Sequence, residues 1–428
     1  MSIKNRIVDV LMILSATVAT MSIVGDITLN YIHLPARFNW LIYTIGCYLL
    51  RFGSSLPNFK YFSNNILVVL FFTLIFWEGF QGILLGRNIG FTFLVHGFTY
   101  IVFYAYFIKS IKTNNGVETI IKPYCLYYIV SVIVIFLSVI LLVSGILSLT
   151  DNPITENSLM NNNIENLGTY YYWPGHLSIV SLSTRIELFE NTPLPLFCGF
   201  SHEPHVLAHS IYPAFMLLYY FVRNKSYIFK IALIASIVML QLVSFSTTSL
   251  VSLCLVFLLD YFTNFQNKSL IRKIIPLLFL LLLLILSIRF GIYEQIFTNS
   301  ANKILNDAGG SKSYTLDLIL YGLSPQSILG EGIYLKKETI ENFSSGNVGL
   351  ISCILVNITY IVFTIQSFKN FRSNNALCHF IGMATLYFAF HSLKLGCLIY
   401  NYPMMFYMIF LLTYSNKVKK SSILNNIN

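Results

Sequence analysis

The chain has 428 residues, of which 56% are hydrophobic and only 10% charged, and it carries a formal net charge of +10. Soluble globular domains hold about 25% charged residues, and disordered chains are poor in apolar ones, so both classes are excluded. The expected class is an all-α polytopic integral membrane protein, with residues 1–428 as a single membrane domain.

Crossing about 30 Å of hydrocarbon takes roughly 20 apolar residues, and by this rule the chain has about twelve spans. In chain order they fall near 7–24, 38–53, 66–86, 90–108, 124–147, 206–222, 229–245, 247–262, 273–292, 348–366, 376–392 and 396–414. The second, sixth and eighth are short. The first follows Lys4 and Arg6 and lacks a small-residue cleavage pattern, which predicts a retained helix rather than a removed signal peptide. With the N-terminus inside, 18 of the 27 Lys and Arg residues fall on the cytoplasmic side, from Lys4 and Arg6 to the Lys417–Lys420 cluster. An even number of spans returns the C-terminus to that side as well. The basic excess therefore reads as a pattern that orients the chain against anionic membrane lipids, with no nucleic acid partner.

Two connections are long, 148–205 and 293–347, and this topology puts both outside. They hold most of the carboxylates, including Glu187, Glu190 and Glu203 in the first and Asp307, Asp317 and Glu331 in the second. Loops of such length are usually functional or disordered. In the first, the Asn161–Asn163 run is followed by Tyr170, Tyr171, Tyr172 and Trp173, a surface for sugar stacking or an interfacial aromatic belt. The odd number of cysteines, most of them in or beside spans, implies no disulfide framework. The chain also lacks a GxxxxGK[ST] loop, an HExxH helix and a GxSxG elbow. Those absences argue against a nucleotide-driven pump, a zinc protease and a serine hydrolase.

The stretch from Arg185 to His205 concentrates an arginine, three carboxylates and two histidines at the mouth of the sixth span. Ionisable groups are costly near a bilayer and usually mark where a polar substrate is handled. His202, His205 and His209 lie at spacings of three and four with Glu203 among them, which raises a metal site. Pro204 interrupts that run where a helix would have to begin, so neither metal nor cofactor is expected. Pro204 instead suits the first turn of the sixth span. Glu203 just before it is either a base or simply an acid stabilised by the helix dipole.

Arg185, a Pro-rich run and Gly199-Phe-Ser-His-Glu203-Pro204-His, leading directly into a span, resemble the Arg and Glu-Pro signature of the O-antigen polymerase (Wzy-like) family. Ser244-Phe-Ser-Thr-Thr-Ser249 adds to the resemblance, as do Ser313-Tyr-Thr-Leu, Pro325-Gln-Ser-Ile-Leu-Gly330-Glu-Gly332 and Asn347. The likeness in layout covers nearly the whole chain, although the motifs are short. Where such proteins often carry an arginine in the second loop, this chain has Lys312, which keeps the charge but loses the planar fork.

The resemblance implies polymerisation of lipid-linked oligosaccharide repeat units on the outer (periplasmic) face of a bacterial inner membrane. The growing glycan on undecaprenyl pyrophosphate would be the donor, and a chain-length regulator and a flippase would be pathway partners. Pyrophosphate is a good leaving group, so such a reaction needs cations to hold its charge and a base for the acceptor hydroxyl. Arg185 is the first choice for pyrophosphate, followed by Arg289, which is equally a snorkelling interfacial residue, then Lys312 and Arg87. Glu203 is the favoured base, with His202 or His205 as substitute. Glu78 and the His391–Lys394 pair are placed to line the same cavity, although an interhelical contact is the plainer reading of Glu78. O-antigen ligase, another lipid-linked sugar transferase, a flippase and a secondary transporter remain as alternatives.

Overall fold

The structure is a computed structural model that describes residues 3–17, 36–55, 65–114, 116–146, 170–172, 179–181, 196–199, 204–244, 246–263, 328–330, 349–392 and 402–425. Among the described residues the helices are α1 (Ile3–Thr17), α2 (Ala36–Phe52), α3 (Ile66–Leu84), α4 (Asn88–Asn114) and α5 (Glu118–Val143). They continue with α6 (Pro204–Val222), α7 (Tyr227–Ser244), α8 (Thr247–Thr263), α9 (Leu350–Phe371), α10 (Ala376–Ser392) and α11 (Tyr402–Asn425). Five of them, α3, α4, α5, α7 and α9, are long and apolar enough to cross a membrane. Shorter apolar stretches lie in α2, α6, α8, α10 and α11. The expected span over 273–292 lies outside the described residues.

Several element boundaries differ from the sequence expectation, two of them for a plain physical reason. Helix α5 starts at Glu118, ahead of the apolar run, because a polar first turn with Lys122 and an internal Pro123 can extend a helix without adding hydropathy. Helix α11 runs on through the Lys417–Lys420 cluster to Asn425, a polar continuation that hydropathy does not register.

The fold is also not purely helical. Strands β1 (Tyr170–Tyr172), β2 (Ile179–Ser181) and β3 (Leu196–Gly199) form one antiparallel sheet in the order β1-β2-β3, with an irregularity at Ile179/Val180. This corrects the reading of the stretch as loop. The backbone of Tyr170, Tyr171 and Tyr172 pairs with Ser181, Val180 and Ile179. Strand β3 is apolar and wholly buried, and it packs beside α5, α6 and α7. Gly199 closes it at φ 59, and a Cβ there would lie 3.1 Å from Ile135.

Helices α3 and α4 form a hairpin turned at Gly86, where φ is 68. Their backbones touch: a Cβ on Gly90 would sit 2.5 Å from the Ile83 nitrogen, and one on Gly79 would sit 2.6 Å from Leu94. Small residues allow such approach where apolar burial gives helices no reason to prefer one another over lipid. Gly382 lets α10 meet the end of α9 in the same way, since a Cβ would come within 2.2 Å of the Phe371 nitrogen. Helix α10 is buried along nearly its whole length and touches α6, α8, α9 and α11, which makes it the centre of the bundle. The outer face is apolar and exposed. On α5, Leu126, Val130, Ile133, Leu137 and Ile140 run along one side, and on α9 Ile354, Ile358, Ile361 and Ile365 do the same. Stripes of this extent suit lipid rather than water.

The bundle has two polar ends, named below for their turn glycines. The Gly86 end gathers the last turns of α3, α7 and α10 with the first turns of α4, α6, α8 and α9. The Gly53 end gathers the last turns of α2, α4, α8 and α9 with the first turn of α10.

Candidate functional site

Helix α6 begins at Pro204, the residue that follows Glu203 in sequence, in keeping with the preference of proline for a helix's first turn. Glu203, His202, Arg185, Arg289 and Lys312 lie outside the described residues, as does Lys394. His205 belongs to the first turn of α6 by its main chain. Arg87 is described: it follows Gly86 in the α3–α4 turn and is half-buried. Its backbone N–H donates to the Gly82 carbonyl at 2.8 Å, and its carbonyl accepts from Gly90 at 3.1 Å. Glu78 is buried in α3, 4% exposed.

The Gly86 end is built from two polar assemblies. In the first, the Trp77 ring N–H donates to the Ser352 hydroxyl at 2.9 Å, and that hydroxyl donates to Gln81 Oε1 at 3.1 Å. The Gln81 amide nitrogen donates in turn to the Leu329 carbonyl. Gly349, in the left-handed region at φ 83, leaves room for this carbonyl, because a Cβ there would lie 2.3 Å from the Leu329 oxygen. The Leu329–Gly330 step of the sequence motif is thus fixed to α3 and to the start of α9. Irregular backbone is tolerated at membrane depth when protein groups satisfy it.

The second assembly surrounds the first half of α6. His209 and His391 are both buried and bring their Nδ1 atoms to 3.0 Å, one donating and the other accepting. Phe388 lies against His209 with ring centroids 4.3 Å apart, and Tyr387 stacks on His391 at 5.6 Å. The Tyr212 hydroxyl donates to Gln241 Oε1 at 2.6 Å, and Gln241 Nε2 donates to the Ser246 carbonyl at 3.0 Å. Ser249 Oγ reaches both the Ser246 carbonyl at 2.6 Å and Gln241 Oε1 at 3.0 Å. The Ser244–Ser249 motif is therefore the turn between α7 and α8, tied to α6 through one glutamine.

Of the histidines grouped by spacing, His209 is the one whose side chain is described, and its partner is His391, 182 residues on. Local spacing cannot reveal that contact. The available signal was His391 itself, a polar residue near the end of an apolar span. Among the described residues no group of three or more His, Cys, Asp or Glu side chains is placed to hold a metal. What the Gly86 end offers is a set of hydroxyl, amide and imidazole groups whose hydrogen bonds hold the backbone at one end of the bundle. No family model, curated protein or solved structure matches the chain.

Proposed function

We propose that the chain is a membrane glycosyltransferase of the O-antigen polymerase kind. It joins oligosaccharide repeat units carried on undecaprenyl pyrophosphate during lipopolysaccharide O-antigen biosynthesis. In this reading the protein sits in a bacterial inner membrane with both termini cytoplasmic, and the Gly86 end faces the periplasm. Arg185 holds the pyrophosphate, with Arg289, Lys312 and Arg87 as further cations, and Glu203, or His202 or His205, takes the proton of the acceptor hydroxyl. The new glycosidic bond forms as the bond from the sugar to pyrophosphate breaks, and the lipid pyrophosphate leaves with the electron pair.

The observation that carries the reading is the start of α6 at Pro204. Pro204 of the Glu-Pro pair opens an apolar helix whose first half is held by polar contacts, which supports the reading. The bond from Gln81 of α3 to Leu329 adds support from the second loop's motif.

The test is a gel of lipopolysaccharide from a strain deleted for the gene and complemented with wild type, Glu203→Gln or Arg185→Ala. A lost ladder with core plus one repeat unit, restored by wild type alone at equal protein level, is the expected result. Arg185→Lys should restore the ladder in part, because lysine keeps charge without the two-pronged grip. Loss of all capped core with accumulation of lipid-linked polymer would instead mean a ligase. An unchanged ladder would overturn the proposal.

A further inference from the structure

Helix α6 carries Pro213 in its interior. Proline has no N–H for the carbonyl four residues back, here that of His209, and its ring presses against that carbonyl. The hydrogen-bond ladder joining residues 204–212 to the rest of α6 lacks one bond at this step. The carbonyls on either side of His209 accept hydroxyls from neighbouring helices, a way in which protein groups support backbone at membrane depth. The Tyr387 hydroxyl donates to the Ala208 carbonyl at 3.2 Å, and the Tyr124 hydroxyl donates to the Ser210 carbonyl. The Tyr127 and Ser210 hydroxyls lie 3.2 Å apart. Between Ala208 and Ser210, the His209 side chain meets His391 at 3.0 Å. Three consecutive residues of α6 are thus gripped by α5 on one side and α10 on the other, immediately before the proline that loosens them from their own helix.

We propose that Tyr124, Tyr387 and His391 are positioning residues for the reaction: they set the direction of the first two turns of α6, the helix that Glu203 precedes in sequence. The inference rests on the function proposed above and adds three residues that touch no substrate. The grip adds outside support to a stretch whose own ladder is one bond short. A helix without Pro213 would carry its first turns wherever its own axis pointed, whereas this one takes its direction from α5 and α10. Movement of α10 relative to α5 would therefore re-aim the start of α6 without unfolding it.

The experiment uses the full-length protein in detergent or nanodiscs, with a lipid-linked repeat unit as substrate. Tyr124→Phe with Tyr387→Phe removes two hydroxyls at constant ring size. His391→Phe removes the imidazole contact, and His391→Gln keeps a hydrogen-bonding side chain there. Displacement of a reacting group by about 1 Å costs up to about 100-fold in rate. The double tyrosine variant and His391→Phe should accordingly lose about 10- to 100-fold in kcat with KM little changed. His391→Gln should recover most of that loss. Hydrogen–deuterium exchange should quicken in 204–212 of the impaired variants and stay unchanged in 214–222. Adding Pro213→Ala, which returns a donor to the His209 carbonyl, should slow that exchange again.

Unchanged exchange in 204–212, or a loss of activity that His391→Gln and His391→Phe share equally, would overturn the inference. So would quickened exchange with wild-type kcat. Failure of the functional reading has a different signature: the wild type itself would form no polymer from the lipid-linked unit, while the exchange pattern would still decide whether α5 and α10 set the direction of α6.

Discussion

At the Gly53 end two described contacts set ionisable groups against opposite charge. Arg51 Nε lies 3.1 Å from Asp9 Oδ1, both side chains about 95% buried, and the Tyr106 hydroxyl donates to the same oxygen at 2.5 Å. His379 Nε2 meets Asp260 Oδ1 at 3.1 Å, while its Nδ1 lies 2.5 Å from the Phe371 carbonyl. At the Gly86 end the described contacts run instead through hydroxyls, amides and imidazoles, shared among α3, α6, α7, α8, α9 and α10. The contrast separates two kinds of stability. A buried ion pair fails all at once when one partner goes, because the other is left as an unpaired charge. A neutral network loses one modest contact at a time and can shift before it breaks.

The sharpest way to break this comparison is Arg51→Ala, which strands Asp9. We expect a loss of about 3–5 kcal/mol, read as a collapse of monodisperse protein in fluorescence-detected size exclusion. Replacing both partners with apolar residues, Asp9→Leu with Arg51→Met, should return most of it, since such swaps are often neutral. If the single and double variants are equally unstable, the pair is not what holds α1 to α2.

Next in size are two glycines, one at each end. Gly382→Ala drives a methyl group into the Phe371 backbone, and Gly349→Ala combines a clash with the Leu329 carbonyl with a positive φ. Each should cost about 1–3 kcal/mol. The distinction lies in where the damage appears. Gly382→Ala should lower the melting temperature of the whole protein, whereas Gly349→Ala should chiefly raise protease cleavage near 328–330 at a nearly unchanged melting temperature.

Gln81→Leu should cost about 1 kcal/mol and release the same segment, again visible as proteolysis. The smallest effect is expected from Tyr212→Phe, about 0.6 kcal/mol for one interhelical hydrogen bond, measured as a shift of a degree or so in melting temperature. A larger loss would mean that Gln241 and the Ser246 turn depend on that hydroxyl.

How much of this was legible in the sequence varies with the range of the interaction. Helices α3, α6 and α8 begin and end within two or so residues of the apolar runs 66–86, 206–222 and 247–262, because hydropathy is a local property that bilayer-spanning helices must satisfy. The sheet was not legible. Three- and four-residue strands embedded in polar, Pro-containing sequence carry no period, and their pairing joins Tyr170 to Ser181 and Ile179 to Gly199 only in three dimensions. The site was legible in part. Pro204 marks a helix start as its chemistry requires, whereas the histidine cluster read by spacing pointed His209 toward His202 and His205. The described contact of His209 is with His391, and nothing short of the packing of α6 on α10 reveals it. Gln81 carried no signal either, since a lone glutamine in an apolar run looks the same whether it meets a backbone carbonyl or a neighbouring side chain.

The chain has only 3 tryptophans, and the two described ones bond through their ring N–H groups, Trp77 to Ser352 at 2.9 Å and Trp40 to Ser15 at 3.3 Å. Trp77 thereby couples an optical reporter to the assembly that fixes Leu329. Ser352→Ala would remove its acceptor and shift the emission to shorter wavelength, and any event that draws α9 away from α3 would do the same. Unlabelled protein can therefore signal the state of the Gly86 end by its own light, with Trp77→Phe as the blank that assigns the signal.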